Sequence, residues 1–457
     1  MADCNCNINA WEVSIRRHLR RQAQSTLTIP KVPERLRRGE KDAYEPRIIS
    51  FGPYHHGKPS LQAMEKYKWS FLEVILSFRP QIPWERYIEA IKEEEAKIRT
   101  CYTDDFDFDS EEFVEMMLID GCFLVGYLLQ IYYGVPDELD TITGMHVLIR
   151  YDILLLENQL PFFILIKIFE LLQFTPFSYP SSFMDLAINY LNCVAREEKV
   201  NFRPPEPIHH LLHLYHSHCL YTPQAGEGSL ISTHGEEPYP IHQTPSATVL
   251  PAVDSISVPI SEEESDFLHP TQPPSATVLH EAGIKFEKKE VKGSSSLDVT
   301  FNITNGKMMI PPLVIDSSAK SKLRNLVAFE QLHPNFSEEF SKSFTAYVEF
   351  MDFIVNTPAD VALLHKEGII RHFLGSDKNA ANFLNDLNKG VFVKSDHYLA
   401  PLYKDVYNFQ QKRINKWQAL LRHNYCNSPW AILGIVVGGI LLLLTLLQTI
   451  FSGLSTK

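Results

Sequence analysis

Cysteine is scarce and scattered in this chain. There are 7 in 457 residues (Cys4, Cys6, Cys101, Cys122, Cys193, Cys219 and Cys426), and no pair has the spacing of a zinc site or a secreted disulfide framework. The stretch Met1 to Asn7 lacks the charged-then-apolar pattern of a signal peptide, so reduced thiols and a cytosolic face are the expectation. An excess of positive charge is also missing: the net charge is −12 at pH 7, which argues against nucleic acid as a partner. No Gly-x-Ser-x-Gly elbow occurs, and no Cys/His arrangement stands out, so covalent hydrolysis has nothing specific to rest on. No catalytic, cofactor-binding or metal residue is assigned, no cofactor is expected, and the chain reads as a non-enzyme.

The most telling absence lies near the C-terminus. No Asp, Glu, Lys or Arg occurs between Asn424 and Thr456. A helix from Trp430 to Ile450 would be about 31 Å long at 1.5 Å per residue, which matches a bilayer core. Residues 429–451 are therefore expected to form one transmembrane helix, with the lipid bilayer as its partner. Lys412, Arg413, Lys416 and Arg422 precede this stretch and only Lys457 follows it. The positive-inside bias then keeps the long N-terminal part in the cytosol, as in a tail-anchored, single-pass protein. Gly434-Ile-Val-Val-Gly438 is a small-xxx-small pattern, the place where a homodimer would form.

What is present elsewhere reads as mainly α-helical with a small antiparallel β element. Residues 1–40 hold a basic amphipathic segment, with Ile8, Trp11, Ile15 and Leu19 beside Arg16, Arg17, Arg20 and Arg21. Residues 41–221 form the first part of a helical core. Two apolar segments in it, Phe113 to Tyr133 and Val147 to Leu172, rival the C-terminal stretch in hydrophobicity. Asp120 interrupts the first and Arg150, Asp152, Glu157 and Pro161 the second, so both read as buried core helices.

Residues 222–274 change character. Nine prolines fall between Pro223 and Pro274, and Pro245-Ser-Ala-Thr-Val-Leu250 recurs at Pro274–Leu279, so this is expected to be a disordered insert. Residues 275–317 read as the β element: strands near Ile284, Leu297 to Ile303 and Lys307 to Asp316, with Asn305-Gly306 as a hairpin turn. Residues 318–425 are the second helical part, ending in a long helix from Tyr398 to Asn424. The tail is 452–457.

Two patterns imitate chemistry. Gly52-x4-Gly57-Lys58 has phosphate-loop spacing, and Met116-Met-Leu-Ile-Asp120 resembles the apolar run whose Asp holds magnesium. A degenerate nucleotide-binding enzyme using Lys58 and Asp120 is thus the alternative function. Against it, Pro59 stands where a hydroxyl residue is needed, and Pro53, Tyr54, His55 and His56 make the loop bulky. The alternating strand–helix pattern of a parallel sheet is absent as well. His55-His56 and His209, His210, His213, His216 and His218 offer imidazoles, yet no Cys or carboxylate pattern completes a ligand set.

The chain resembles a plant family, domain of unknown function 247. The resemblance runs through Ile49–Lys58, Met64–Trp69, Met116–Phe123, Asp152–Phe163, Ala276–Phe286, Ile310–Asp316, Asn325–Glu330, Phe350–Asn356 and Asn427–Ala431. It implies a mostly helical cytosolic region, a C-terminal membrane span and no established catalysis. Some members are implicated in self-incompatibility in grasses, which implies a protein-interaction or recognition role with an unknown protein partner. On this resemblance the His-His pair and the phosphate-like loop belong to the family framework.

Overall fold

A computed structural model describes residues 28–37, 40–136, 138–173, 180–195, 202–204, 207–221, 272–290, 295–333, 343–412 and 437–448. The basic segment around 8–22, the insert apart from 272–274, the stretch 413–424 and the tail lie outside these residues.

The element that organises the first half is a 24-residue helix. Helices α1 (Glu65–Phe78) and α2 (Trp84–Thr100) precede α3 (Ser110–Tyr133) and pack on it, as do the later α5 (Phe162–Leu171) and α6 (Phe183–Ala195). Helix α3 has no polar face over most of its length, so it is stable only when surrounded. It is long and apolar enough to cross a membrane, but 83% of its apolar window is buried inside the protein. Its ends are set locally. Asp109 accepts from the Glu112 N–H at 2.8 Å and Glu112 answers the Asp109 N–H at 3.3 Å, a capping box, while Gly134 closes the other end at φ +62°.

The second apolar segment is not one helix. It divides into α4 (Met145–Ile153) and α5, joined by a buried non-helical stretch from Leu154 to Pro161. Pro161 cannot donate within a helix and stands at the N-cap of α5. The polar side chains between the two helices bond to other backbone instead, as described below. After α7 (Leu211–Leu220) and α8 (Ala276–Glu281) come β1 (Lys285–Lys288), β2 (Thr300–Asn302), β3 (Lys307–Ile310) and β4 (Leu313–Ile315).

The β element is mixed and not purely antiparallel. Strands β2 and β3 pair antiparallel across the Asn305-Gly306 turn, with Gly306 at φ +68°. Strand β1 pairs parallel to β3 on its other side. The run Lys307 to Asp316 is broken at Pro311-Pro312, which offer no N–H to a ladder. Its second half, β4, leaves the first sheet and pairs parallel with β5 (Ile370–His372).

Helices α9 (Ala319–Leu332), α10 (Phe344–Ile354), α11 (Pro358–Lys366), α12 (Asp377–Leu387) and α13 (Ala400–Gln411) complete the second half. One hydrophobic cluster joins both halves, from Ile29 through Phe123 and Phe329 to Phe409. At the C-terminus the described residues hold α14 (Val437–Gln448), an apolar helix. At 1.5 Å per residue it is about 18 Å long, short of a bilayer core of about 30 Å. A membrane-crossing helix over 429–451 is therefore not supported by the described residues, and Gly434 lies outside them.

Candidate functional site

The residues that imitate a nucleotide site lie near one another; Gly52 and Asp120 face inward, while Gly57 and Lys58 reach the surface. The extended run Arg47–Phe51 forms no strand, so its N–H groups need other acceptors. Asp152 supplies them: its carboxylate accepts from Arg47, Ile48 and Ile49 at 2.8, 2.8 and 2.9 Å. Asn158 accepts from the Phe51 N–H at 2.7 Å and donates to the carbonyls of Ile49 and Asp152. Gly52 donates to Asp120 at 2.8 Å.

Gly52 is glycine for reasons of shape. Its φ is +70°, and a Cβ there would lie 2.9 Å from Tyr102 Oη and 3.0 Å from the Gln159 carbonyl. Gly57 also has positive φ, at +74°, with open space beside it. The loop between them is a tight turn whose first N–H already has a carboxylate.

Asp120 and Lys58 take different partners. Asp120 pairs at 2.7 Å with Lys68, which is fully buried, and Lys68 also meets Glu65 at 2.8 Å. Burial opposes the Lys68 ammonium, but Asp120 and Glu65 outweigh it and hold its pKa above the ordinary lysine value. Lys58 pairs with Glu45 and lies 2.8 Å from His55 Nδ1. Arg37 bridges Glu45 and Glu157, and Glu157 also accepts from the Val32 N–H at 2.6 Å. His55, between Lys58 and Glu157, is pushed down to about 4 by burial first and by the Lys58 charge second. The pair needed for magnesium and phosphate is thus divided between two networks.

The histidines of α7 are buried. His210 caps the helix by accepting from the His213 N–H at 3.1 Å, and its other ring nitrogen meets the Thr28 carbonyl at 3.1 Å. His216 meets Glu330 at 2.7 Å and His218 meets Asn192 at 2.8 Å. His209, His213 and His333 stack close together, with centroids 5.1 to 6.0 Å apart. Burial, then the neighbouring imidazoles, pushes His213 down to about 2 and His333 to about 4.

Other buried polar side chains hold the backbone between elements, and Asn325 does so across the two halves. Asn325 accepts from the Leu156 N–H at 2.8 Å and donates to the Ala43 carbonyl at 2.8 Å. Glu330 accepts from the N–H groups of Phe344 and Thr345 at the start of α10. Gln159 donates to the carbonyls of Ile153 and Leu155 and accepts from Leu212. Many of these side chains fall inside the segments that carry the family resemblance, and their bonds are structural.

A family model described as a plant protein of unknown function matches residues 29–444. The chain belongs to this family, domain of unknown function 247. This family member is similar to two UPF0481 proteins of Arabidopsis thaliana. One is 29% identical over 440 residues, covering 93% of this chain and 86% of the relative. The other is 24% identical over 509 residues, covering 96% and 93% respectively. No solved structure matches.

One cluster has no counterpart in the sequence reading. His365, His372 and Asp377 bring their ligand atoms within 4.8 Å of one another, the one such His/Cys/Asp/Glu group among the described residues. They stand on three successive elements with spacings of seven and five, which match no familiar ligand pattern. Only the turns between α11, β5 and α12 reveal it.

Proposed function

We propose that this member of the domain of unknown function 247 family is a non-enzymatic, membrane-anchored recognition protein with its body in the cytosol. The observation that carries the reading is the apolar face of α14. Val437, Ile440, Leu441 through Leu444, Leu446 and Leu447 each leave 43–67% of their surface exposed. At about 25 cal/mol per Å² of apolar surface, such a row favours transfer out of water. Lys412, Arg413, Lys416 and Arg422 on its N-terminal side favour an N-terminal body that stays in the cytosol. The networks around Lys68, Asp120 and Glu157 support a body whose buried charges are structural.

Fractionation of cells expressing the full chain tests this. The chain is expected in the membrane pellet, resistant to carbonate and released by detergent, while a chain truncated after residue 428 is expected in the soluble fraction. A full chain that stays soluble overturns the anchor. Glycans at Asn302 or Asn335 would reverse the orientation. Magnesium-dependent ATP or GTP binding, lost in Lys58→Ala, would overturn the non-enzymatic reading. Proximity labelling from the anchored chain then names the partner.

A further inference from the structure

The corner where α11, β5 and α12 meet holds two imidazoles and a carboxylate. His365 lies in the last turn of α11, His372 ends β5, and Asp377 is the first residue of α12. Backbone electrostatics favour a bound cation beside the first of them. The C-terminal end of α11 carries partial negative charge, which attracts a cation beside His365. Ser376 caps α12 through the Asn379 N–H, so Asp377 is not needed as the cap.

The three ligand atoms, all within 4.8 Å of one another, come close to the spacing around a metal ion. Nε2 of His372 lies 2.8 Å from Oδ1 of Asp377, and the His365 and His372 rings stand edge to face with centroids 5.6 Å apart. Two ligands each about 2.1 Å from a tetrahedral ion are about 3.4 Å apart, so a small opening of the His372–Asp377 contact would admit one. His372 is packed in place: its side chain is 9% exposed, and its Nδ1 is buried with no hydrogen-bond partner. His365 is exposed, which leaves an entry path from solvent. The neighbouring Arg371 lines a separate cleft of about 520 Å³ with Asp316 and Lys322, so its charge belongs to another surface.

We propose that His365, His372 and Asp377 form a binding site for a divalent transition metal, with Zn²⁺ as the best match. Two nitrogen donors and one carboxylate suit zinc and are poor ligands for calcium or magnesium. Three protein ligands leave one position for water or for a group from a partner. Binding replaces the His372–Asp377 hydrogen bond with two metal–ligand bonds and ties α11, β5 and α12 into one unit.

Calorimetric titration of the detergent-solubilised full chain with ZnCl₂ tests the site. The unaltered chain is expected to saturate below about 100 µM, with a raised melting temperature. His365→Ala and Asp377→Asn are each expected to weaken this binding at least about tenfold, a loss that even an outer partner of a metal site can cause and a direct ligand should exceed. Because His365 is exposed, its variant is expected to keep the metal-free melting temperature, which separates lost binding from lost folding. Absence of saturation below that concentration overturns the proposal. So does unchanged binding in both variants, which would place the zinc on other histidines.

Discussion

Removing the Asp120 carboxylate would leave the buried Lys68 ammonium with Glu65 as its remaining counter-charge and a long bond to Ser50, and the Gly52 N–H without that acceptor. Asp120→Ala is therefore expected to destabilise the protein by about 3–5 kcal/mol, measured by urea unfolding of the purified chain. The double variant Lys68→Met/Asp120→Leu is expected to recover most of that loss, because no charge is then left unpaired. What it cannot recover is about 1–3 kcal/mol for the orphaned Gly52 N–H. A loss below about 1 kcal/mol for the single variant would mean that water reaches this pair. At this scale the sequence showed that a carboxylate in an apolar run needs a partner. It could not show that the partner is Lys68, 52 positions away, because that choice is made by the packing of α1 on α3.

Helix α3 was legible as an element because its apolar run is long, its Asp109–Glu112 cap is local and Gly134 ends it. Its glycines acquire meaning only from their neighbours. A Cβ at Gly121 would lie 2.4 Å from Ile168 Cδ1 on α5, so that position is where the two helices come closest to excluding a side chain. Gly121→Val is expected to cost about 1–3 kcal/mol in the same unfolding measurement, through overpacking against α5. A variant as stable as the parent would show that Ile168 turns aside freely. The division of Val147–Leu172 into α4 and α5 was not legible. Hydrophobicity runs through both, and what breaks the helix is a set of buried bonds from Asp152, Asn158 and Gln159 to distant backbone. The split of the third strand into β3 and β4 was marked by Pro311-Pro312, but its new partner β5 pairs Ile370 with Leu313, 57 positions later, and has no local signal.

Across the whole molecule, the buried histidines tie stability to pH. His213 and His333 are held neutral in the folded state, pushed down to about 2 and about 4, whereas an unfolded histidine titrates at about 6.5. The unfolded chain therefore takes up more protons as pH falls below about 6.5, and stability drops with it. His213 alone accounts for on the order of 2 kcal/mol by pH 5. Melting temperatures are expected to be flat above about pH 7 and to fall steadily from pH 6.5 to 5. His213→Gln should flatten that slope, and an unchanged melting temperature down to pH 5 would contradict it.

The sequence by itself determined the helical class, the apolar C-terminal stretch, the Asn305-Gly306 hairpin and the family, because each depends on residues close together in the chain. Tertiary structure alone decided that Gly52 and Asp120 close a turn, that the α7 histidines are buried beside α9, and that His365, His372 and Asp377 meet at one corner. Those outcomes depend on which elements pack together, and burial then fixes whether a polar side chain serves the fold or remains open to a ligand.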